Sequence, residues 1–450
     1  MNKMKRRDFL KLSGLGLTGA LTYQHFSALK ALKANFHQYH FGKIKSVILL
    51  TMAGGPSQID TFDYKPKLQK LHGKSIKGII SEKNQNGGLI AASPFRFKQY
   101  GQSGNWFSEI FPKLSSFSDE ITFIKSMTSR SNNHGLSLFD MNSGQILLGL
   151  PHLAVWSNYV LGPINNKLPP FVVMLDHRGR PYNGEQNWSC GFLPQQNGAC
   201  VFNSWPEVLS NLQQSRDLSL MYGLNMENQK WRETFDLAKD LKTHLYDAIS
   251  LENISDETIK LYGLDQSQSQ TFGRELLMAK NLVQKGVRFV QVYSGTSINQ
   301  TSWDNHENIL EHKDRGLEVD TPISGLLSDL KRSGLDKDVL VVFAGEFGKL
   351  PVMEENLTQN SSLSGTWGRD HNNQGFTIWL WNSYLRQGLS LGQTDELGFK
   401  AIERELSFGD LHATILHLLG IDHINLQYSH QGQVFRLTEK SNRVITEIIS

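Results

Sequence analysis

The fold of this chain is decided by one stretch, VLVVFAGEFGK, at residues 339–349. Its first six residues are apolar and rich in β-branched side chains, which is typical of a strand buried on both faces inside a parallel sheet. The chain then turns polar at Glu346, between Gly345 and Phe347. Because ligands of open α/β sheets bind beyond the carboxyl ends of the strands, we expect Glu346 to lie at a functional site.

Two further segments are predicted to reach the same edge of the sheet. GRDH, residues 368–371, lies just before another predicted strand, the apolar run FTIWLW at residues 376–381. An earlier strand, within residues 44–52, ends in AGGPS, residues 53–57, where glycines let the backbone approach a ligand closely. This segment is not a phosphate loop, since it has neither a Walker Lys-Ser/Thr pair nor a G-x-G-x-x-G pattern.

Length and charge set the class of protein. The chain has 450 residues, 39% of them hydrophobic, enough to fill a large α/β core. Its 46 Lys and Arg against 43 Asp and Glu give a formal charge of +3, too balanced to indicate nucleic acid binding. We predict one globular domain at residues 35–450, in which the mostly helical residues 205–285 form an insertion or cap. We also predict a helix at residues 106–117.

The N-terminus, residues 1–34, resembles a twin-arginine (Tat) export signal. Arg6 and Arg7 stand before Phe9-Leu10-Lys11 and an apolar stretch at residues 12–23. A membrane anchor is the alternative, but the stretch is shorter than the roughly 20 residues that span a bilayer. We therefore expect the Tat translocase as a partner, a periplasmic or cell-surface location, and no stable transmembrane segment.

The two cysteines leave the disulfide question open. Cys190 and Cys200 are the only cysteines, and they could pair across a short loop or be two small buried side chains.

Carboxylates and histidines recur in the polar segments. SWDNHEN, residues 302–308, adds Asp304 and His306 to this set. Such side chains suit a divalent ion, Zn, Mn, Ca or Mg. Each alone could be structural: Asp370 could pair with Arg369, His306 could cap a turn, and Asp60 could cap a turn or helix.

Another polar junction, SRSNNHG at residues 129–135, leads into an apolar-periodic run that predicts a helix beginning near His134. The N-terminal N–H groups of that helix could bind an anion. Alternatively, the Ser and Asn side chains could simply cap it.

These segments, in this order, resemble the domain-of-unknown-function family 1501. Three more stretches carry the resemblance: NWSCGFLP at residues 187–194, WDNH at residues 303–306 and DLHATILHLLGIDH at residues 410–423. The family is similar to the alkaline phosphatase and sulfatase superfamily. The resemblance implies an alkaline-phosphatase-like α/β fold, with a large, mostly parallel central sheet sandwiched by helices and a two-metal site at the strand ends.

The resemblance also implies site residues, with departures. It suggests Asp304, His306, Glu346 and His371 as metal ligands, although the acidic residue expected directly after the first strand is absent. From their positions near strand ends, Asp60 and Asp370 are added as candidate ligands. Phe347 stands where a ligand histidine is expected, and Lys349 where the family usually shows Arg. The nucleophile position falls near His134, so His134 would act as base or oxyanion partner for a water. We expect four residues to contact the substrate: Gly54, Gly55, Ser57 and Arg369.

Three functions fit this sequence. The first is a metal-dependent hydrolase of a small phosphate or sulfate ester outside the cytoplasm. The second is a non-catalytic protein that binds a polysaccharide or another surface ligand, since a shared fold does not fix function. The third is a structural or assembly partner of another exported protein.

Overall fold

The structure, a computed structural model, describes residues 42–75, 88–202, 244–298, 301–354 and 367–450. The predicted export signal at residues 1–34 lies outside these ranges, as do residues 205–243 of the predicted helical insertion. Within the described ranges, no helix has both the length and the apolar character needed to span a bilayer.

The described strands are β1 (Ser46–Met52), β2 (Phe97–Tyr100), β3 (Asn105–Ser108), β4 (Thr122–Thr128), β5 (Phe171–Met174), β6 (Ala199–Phe202), β7 (Phe289–Ser294), β8 (Val339–Ala344), β9 (Gly348–Lys349), β10 (His371–Asn372), β11 (Phe376–Trp381), β12 (Ser390–Leu391), β13 (Gln393–Thr394), β14 (Ala401–Glu403), β15 (Leu406–Ser407), β16 (Tyr428–His430) and β17 (Gln433–Phe435).

The described α-helices are α1 (Gln58–Thr61), α2 (Pro66–Leu71), α3 (His134–Ser143), α4 (Leu153–Leu161), α5 (Asp256–Leu261), α6 (Gln270–Gln284), α7 (His312–Arg332) and α8 (Phe408–Leu418). Short 3-10 helices lie at Leu114–Phe117, Gly184–Trp188, Gln195–Asn197, Ile309–Glu311 and Thr446–Ile448.

Nine of the described strands form a central sheet, in the order β12-β4-β11-β8-β1-β7-β5-β6, with β15 also paired to β4. Strand β1 pairs in parallel with both β7 and β8. Among the described strands of this sheet, only β11 runs the other way, antiparallel to β4 and to β8. The predicted class, an α/β protein with a mostly parallel central sheet, is confirmed.

Helices cover both faces of this sheet. Alternate residues of β1 face opposite sides, with Ile48 and Leu50 in one apolar cluster and Val47 and Leu49 in the other. Side chains of α6 and α7 complete the first cluster, and those of α3, α4 and α8 complete the second. Every residue of β1 and β8 is therefore buried, which explains why both strands are continuous apolar runs.

The prediction of a helix at residues 106–117 is wrong. The chain there forms a hairpin in which Tyr100 of β2 pairs with Asn105 of β3, followed by the 3-10 turn at Leu114–Phe117. Gly101 and Gly104 both have a φ of +66°, a left-handed conformation that glycine adopts without strain. These two glycines close the hairpin.

The two cysteines are free thiols. Cys190 is buried and its Sγ lies 3.9 Å from the carbonyl oxygen of Gln195. Burial raises the pKa of the Cys190 thiol to about 11 and that of the Cys200 thiol to about 12. Both therefore stay protonated at neutral pH.

His152 is expected to make the fold sensitive to acid. It is the N-cap of α4, where its Nδ1 accepts from the backbone N–H of Ala154 at 2.9 Å, and burial lowers its pKa to about 3. Below pH 6.5, His152 therefore binds a proton in the unfolded chain but not in the folded chain. We expect the unfolding free energy to fall as pH decreases from 6.5, by up to about 1.4 kcal/mol per pH unit for this group.

Urea unfolding of wild type and His152→Asn between pH 7.5 and 4.5 measures this effect. Asparagine is a good N-cap and does not titrate, so the variant should lose stability less steeply on acidification. Equal pH slopes would contradict the assignment of this dependence to His152.

Candidate metal centre

Five neighbouring strands, β4, β11, β8, β1 and β7, bring the polar segments to one edge of the sheet. Asp304 and His306 follow the carboxyl end of β7, and Glu346 follows that of β8. His371 lies just before β11, and because β11 is antiparallel to β8, its amino end reaches the same edge. Residues far apart in sequence therefore meet here.

His134 lies between two carboxylates. It is the first residue of α3, as predicted, behind the N-cap Asn133. Its Nδ1 is 2.8 Å from Glu346 Oε1, and its Nε2 is 2.9 Å from Asp304 Oδ2. Burial lowers the pKa of His134, but hydrogen bonds to both carboxylates outweigh burial and raise it above its ordinary value.

His306 and His371 approach Asp304 from the other side. Their Nε2 atoms are 2.7 Å and 2.9 Å from Asp304 Oδ1, and 2.9 Å from each other. Nδ1 of His306 is hydrogen-bonded to Glu354, and Nδ1 of His371 is 2.8 Å from the carbonyl oxygen of Asn132.

The three histidines therefore share one arrangement. Each has Nδ1 held by an acceptor, a carboxylate or a backbone carbonyl, and Nε2 directed at Asp304. Metal-binding histidines are held in this way, because the bond at one nitrogen fixes the ring and leaves the other nitrogen free to bind. This geometry indicates a metal centre.

The donor set fits a divalent cation. The ligand atoms of His134, Asp304, His306 and His371 all lie within 4.8 Å of one another. Around tetrahedral zinc, with bonds of about 2.0–2.1 Å, donor atoms are about 3.4 Å apart. The contacts of 2.7–2.9 Å between Asp304 and the histidines would lengthen by roughly 0.5–0.7 Å around such an ion, and three imidazoles with one carboxylate are donors that zinc accepts.

The electrostatics of the cluster centre on Asp304. Burial raises the pKa of its carboxyl, but the Lys349 ammonium and hydrogen bonds from the three histidines hold that pKa well below its usual range. For His306, the hydrogen bonds to Asp304 and Glu354 outweigh burial and raise the pKa to about 9. Asp304 is therefore an ionised carboxylate that needs cations beside it.

Aromatic rings enclose the imidazoles. Phe347, which stands where the resemblance implies a ligand histidine, packs 4.9 Å from His134 and 4.3 Å from His371 between ring centroids. Tyr182 stacks on His134 at 4.6 Å with nearly parallel rings. These rings limit the freedom of the imidazoles and reduce the access of water.

Asp60 and Arg369 lie outside this cluster. Arg369 Nε donates to Asp60 Oδ2 at 2.7 Å, and both side chains are fully buried. Ser57 also donates to Asp60, at 2.5 Å. Asp60, suggested as a metal ligand, and Arg369 and Ser57, suggested as substrate contacts, are thus engaged with one another.

The glycines after β1 have an internal packing role. A Cβ on Gly54 would lie 2.5 Å from the backbone nitrogen of Asp304, and a Cβ on Gly55 would lie 2.6 Å from the Phe347 ring. The backbone N–H of Gly54 donates to Glu346 Oε1 at 2.9 Å. These glycines let the loops of the cluster approach one another closely.

Two carboxylates complete the surroundings. Asp370 is exposed and groups with His306 and Glu354 rather than with the four clustered residues. Glu354 was missed from the sequence, as was the role of Lys349. Glu354 follows a strand-end loop, but no local pattern distinguishes it from an ordinary surface carboxylate.

Glu346 is expected to tune metal affinity through His134. Replacing it with glutamine keeps an oxygen that can accept from His134 and Gly54, but removes the charge. Outer-shell partners of this kind affect metal affinity by roughly 10–100-fold, and we expect a loss of that size for zinc. Competition with a chelating indicator measures it. The matched control is the exposed Glu396→Gln, whose carboxylate pairs with Lys67 outside the cluster, and an unchanged affinity of Glu346→Gln would contradict the role of Glu346.

The fold and the cluster together define an α/β protein with a candidate divalent-metal centre at the strand ends of a mostly parallel sheet. The model of one protein family matches residues 44–449, and the chain belongs to that family, described as "Protein of unknown function (DUF1501)". The family predicted from the sequence is confirmed. Among curated proteins, no sequence matches the chain significantly.

Solved structures with an overall likeness to the chain have phosphatase, sulfatase and related names. The lipoteichoic acid synthase LtaP from Listeria monocytogenes is 11% identical over 92% of this chain and 80% of its own, with a TM-score of 0.40. The PsFucS1 sulfatase from Pseudoalteromonas sp. is 12% identical over 90% and 72%, with a TM-score of 0.37. The phosphonate monoester hydrolase SpPMH from Silicibacter pomeroyi is 12% identical over 74% and 71%, with a TM-score of 0.37. All three likenesses are distant, and nothing about activity follows from them.

Proposed function

We propose that the protein is a metal-dependent hydrolase of phosphate or sulfate esters. One observation carries the proposal: three histidines, each with Nδ1 held by an acceptor, direct Nε2 at the Asp304 carboxylate. A divalent ion bound there would polarise an oxyanion ester and lower the pKa of a water. The reaction class itself rests on the family resemblance.

The chain's own residues have separable roles in this proposal. Asp304 and the three histidines would hold the cation, and Glu346 keeps His134 in one orientation. The Lys349 ammonium adds a positive charge next to Asp304, which favours an anionic substrate. Because His134 has both ring nitrogens engaged by carboxylates, we assign it to cation binding rather than to the base role suggested by the sequence.

Elemental analysis of the purified protein, followed by turnover of aryl phosphates and sulfates, tests the proposal. We expect a stoichiometric divalent metal, activity that a chelator removes and added metal restores, and loss of both metal and activity in His371→Ala. Protein that is stable without metal and gains none on addition would overturn it. Metal-loaded protein without turnover, but with a melting temperature raised by a polysaccharide, would favour the binding alternative.

We further propose export by the Tat pathway to the periplasm or cell surface. The support is Arg6 and Arg7 ahead of a short apolar stretch at residues 12–23. Lysine at both positions should leave the full chain in the cytoplasm, as measured by cell fractionation. Export of that variant at the wild-type level would contradict the proposal.

A further inference from the structure

Tyr182 covers the imidazole of His134 at the rim of the candidate metal centre. Its ring lies at 5° to that of His134, with the ring centroids 4.6 Å apart. Phe347 also contacts His134, but it is buried and carries no polar side-chain atom, whereas Tyr182 is half-buried and ends in a hydroxyl. Within the described part of the chain, that hydroxyl has no hydrogen-bond partner. A hydrogen-bond donor at the rim is therefore available to solvent or to a ligand.

The loop that carries Tyr182 is held against the centre. Nδ2 of Asn187 donates to the carbonyl oxygen of Tyr182 at 2.6 Å. Nδ2 of Asn183 donates to the carbonyl oxygen of Gly135, the second residue of α3, also at 2.6 Å. Asn183 has a φ of +67°, a left-handed conformation that asparagine is among the few residues besides glycine to tolerate. The residue directly after Tyr182 thus ties the loop to the helix that begins with His134.

The hydroxyl of Tyr182 lies near the carboxylates of the cluster. Burial raises the pKa of Tyr182, and the negative charges of Asp304 and Glu346 raise it further, with Asp304 the stronger of the two. These are the carboxylates that flank His134, so both the ring and the polar end of Tyr182 lie beside the cluster. A phenol has an ordinary pKa of about 10, so at neutral pH this hydroxyl keeps its proton and can donate it in a hydrogen bond.

Water reaches the cluster at two of its histidines. The side chains of His306 and His371 are 21% and 13% exposed, against 3% for Asp304. An oxyanion that binds an ion at Asp304 would therefore meet the residues of this exposed rim. Of the two described phenyl and phenol rings that contact His134, only that of Tyr182 is both partly exposed and able to donate a hydrogen bond.

We infer that Tyr182 is a substrate-binding residue, whose hydroxyl donates a hydrogen bond to an oxygen of the phosphate or sulfate group. This inference rests on the proposed function, because it presumes that an oxyanion ester binds at the metal centre. It goes further by assigning a contact with the substrate to a residue that is neither a metal ligand nor charged. Hydrogen bonds to charged acceptors are roughly twice as strong as those between neutral groups, so this contact would favour the oxyanion over the water that it displaces.

Binding of inorganic phosphate and of inorganic sulfate to the zinc-loaded full chain, measured by isothermal titration calorimetry, tests the inference. Tyr182→Phe keeps the ring that stacks on His134 and lacks only the hydroxyl. We expect this variant to bind zinc as tightly as wild type. It should bind the oxyanion at least about tenfold more weakly, which is the effect of losing one hydrogen bond to a charged group.

Tyr64→Phe is the matched control. Tyr64 is also half-buried and packs on aromatic rings, with its ring centroid 5.0 Å from that of Phe97 and 4.6 Å from that of Trp106. None of these rings belongs to the metal centre. The oxyanion affinity of Tyr64→Phe should therefore equal that of wild type.

Three results would overturn the inference. They are equal oxyanion affinities of Tyr182→Phe and wild type, a zinc-loaded wild type that binds neither oxyanion, and weaker zinc binding by Tyr182→Phe, which would mean that the hydroxyl acts through the metal ligands. Ester turnover by the wild type would leave the proposed function standing in each case. A wild type that binds no zinc and turns over no ester would overturn both.

Discussion

Replacing Asp304 by asparagine is expected to destabilise the metal-free protein by about 3–5 kcal/mol, because removing one partner of a buried ion pair leaves the other charge unpaired. Lys349 has no exposed side-chain area, and Asp304 is 3% exposed, so water cannot replace the lost partner. The same variant should hold no stoichiometric zinc, since all three Nε2 atoms face this carboxylate.

Urea unfolding at pH 7.5 with a chelator present measures the stability change separately from any stabilisation by bound metal. Asp370→Asn is the control, because Asp370 is exposed and lies near His306 of the cluster. Its replacement should change the free energy of unfolding by no more than about 0.5 kcal/mol. Equal stability of Asp304→Asn and wild type would contradict the expectation.

The double variant Asp304→Asn with Lys349→Met separates the ion pair from general packing. Replacing both members of a buried pair is often close to neutral, so the double variant should recover much of the stability lost in Asp304→Asn. If it is as unstable as the single variant, the unpaired ammonium is not the cause of the loss.

The strands were predictable because burial leaves a direct mark on sequence. The apolar run Val339–Ala344 is β8 residue for residue, and Phe376–Trp381 is β11. The polar residues that end such runs are placed by the sheet itself. Hence Asp304, His306 and His371 meet, although 67 positions separate Asp304 from His371.

The side-chain contacts at this edge of the sheet were not predictable from hydrophobic periodicity and composition. Both Asp60 and Glu346 follow strands, yet only Glu346 contacts a histidine of the cluster. Glu354 lies 48 positions after His306 and contacts it from a loop that has no periodic sequence pattern. A sequence pattern places the backbone at an edge, but the partner of each side chain depends on loop geometry that the pattern does not encode.

For Asp60, the structure decides between the roles that the sequence left open. The sequence left it as a metal ligand or a cap, and left Arg369 as a substrate contact or a partner of Asp370. In the structure Arg369 instead reaches Asp60, and it also donates to the carbonyl oxygens of Ala91 and Leu350 at 3.1 Å and 3.2 Å. All three of its guanidinium nitrogens thus donate to acceptors inside the protein, which favours a structural role.

Asp60→Asn is therefore expected to destabilise the protein by about 3–5 kcal/mol without lowering its zinc content. Burial raises the pKa of Asp60, but the Arg369 guanidinium outweighs burial and holds that pKa below its ordinary value. The ionised carboxylate therefore stabilises the fold above the unfolded pKa of about 3.8, and this stability is lost as pH falls through the folded value. At pH 7 the full loss applies, because asparagine leaves the Arg369 charge buried and unpaired.

Urea unfolding and elemental analysis on the same samples distinguish the two roles of Asp60. His371→Ala provides the opposite pattern, with zinc lost and the Asp60–Arg369 pair intact. A stable Asp60→Asn protein that lacks zinc would place Asp60 in the metal centre after all. An unstable, zinc-loaded protein would show that a buried arginine, rather than a metal ion, stabilises this carboxylate.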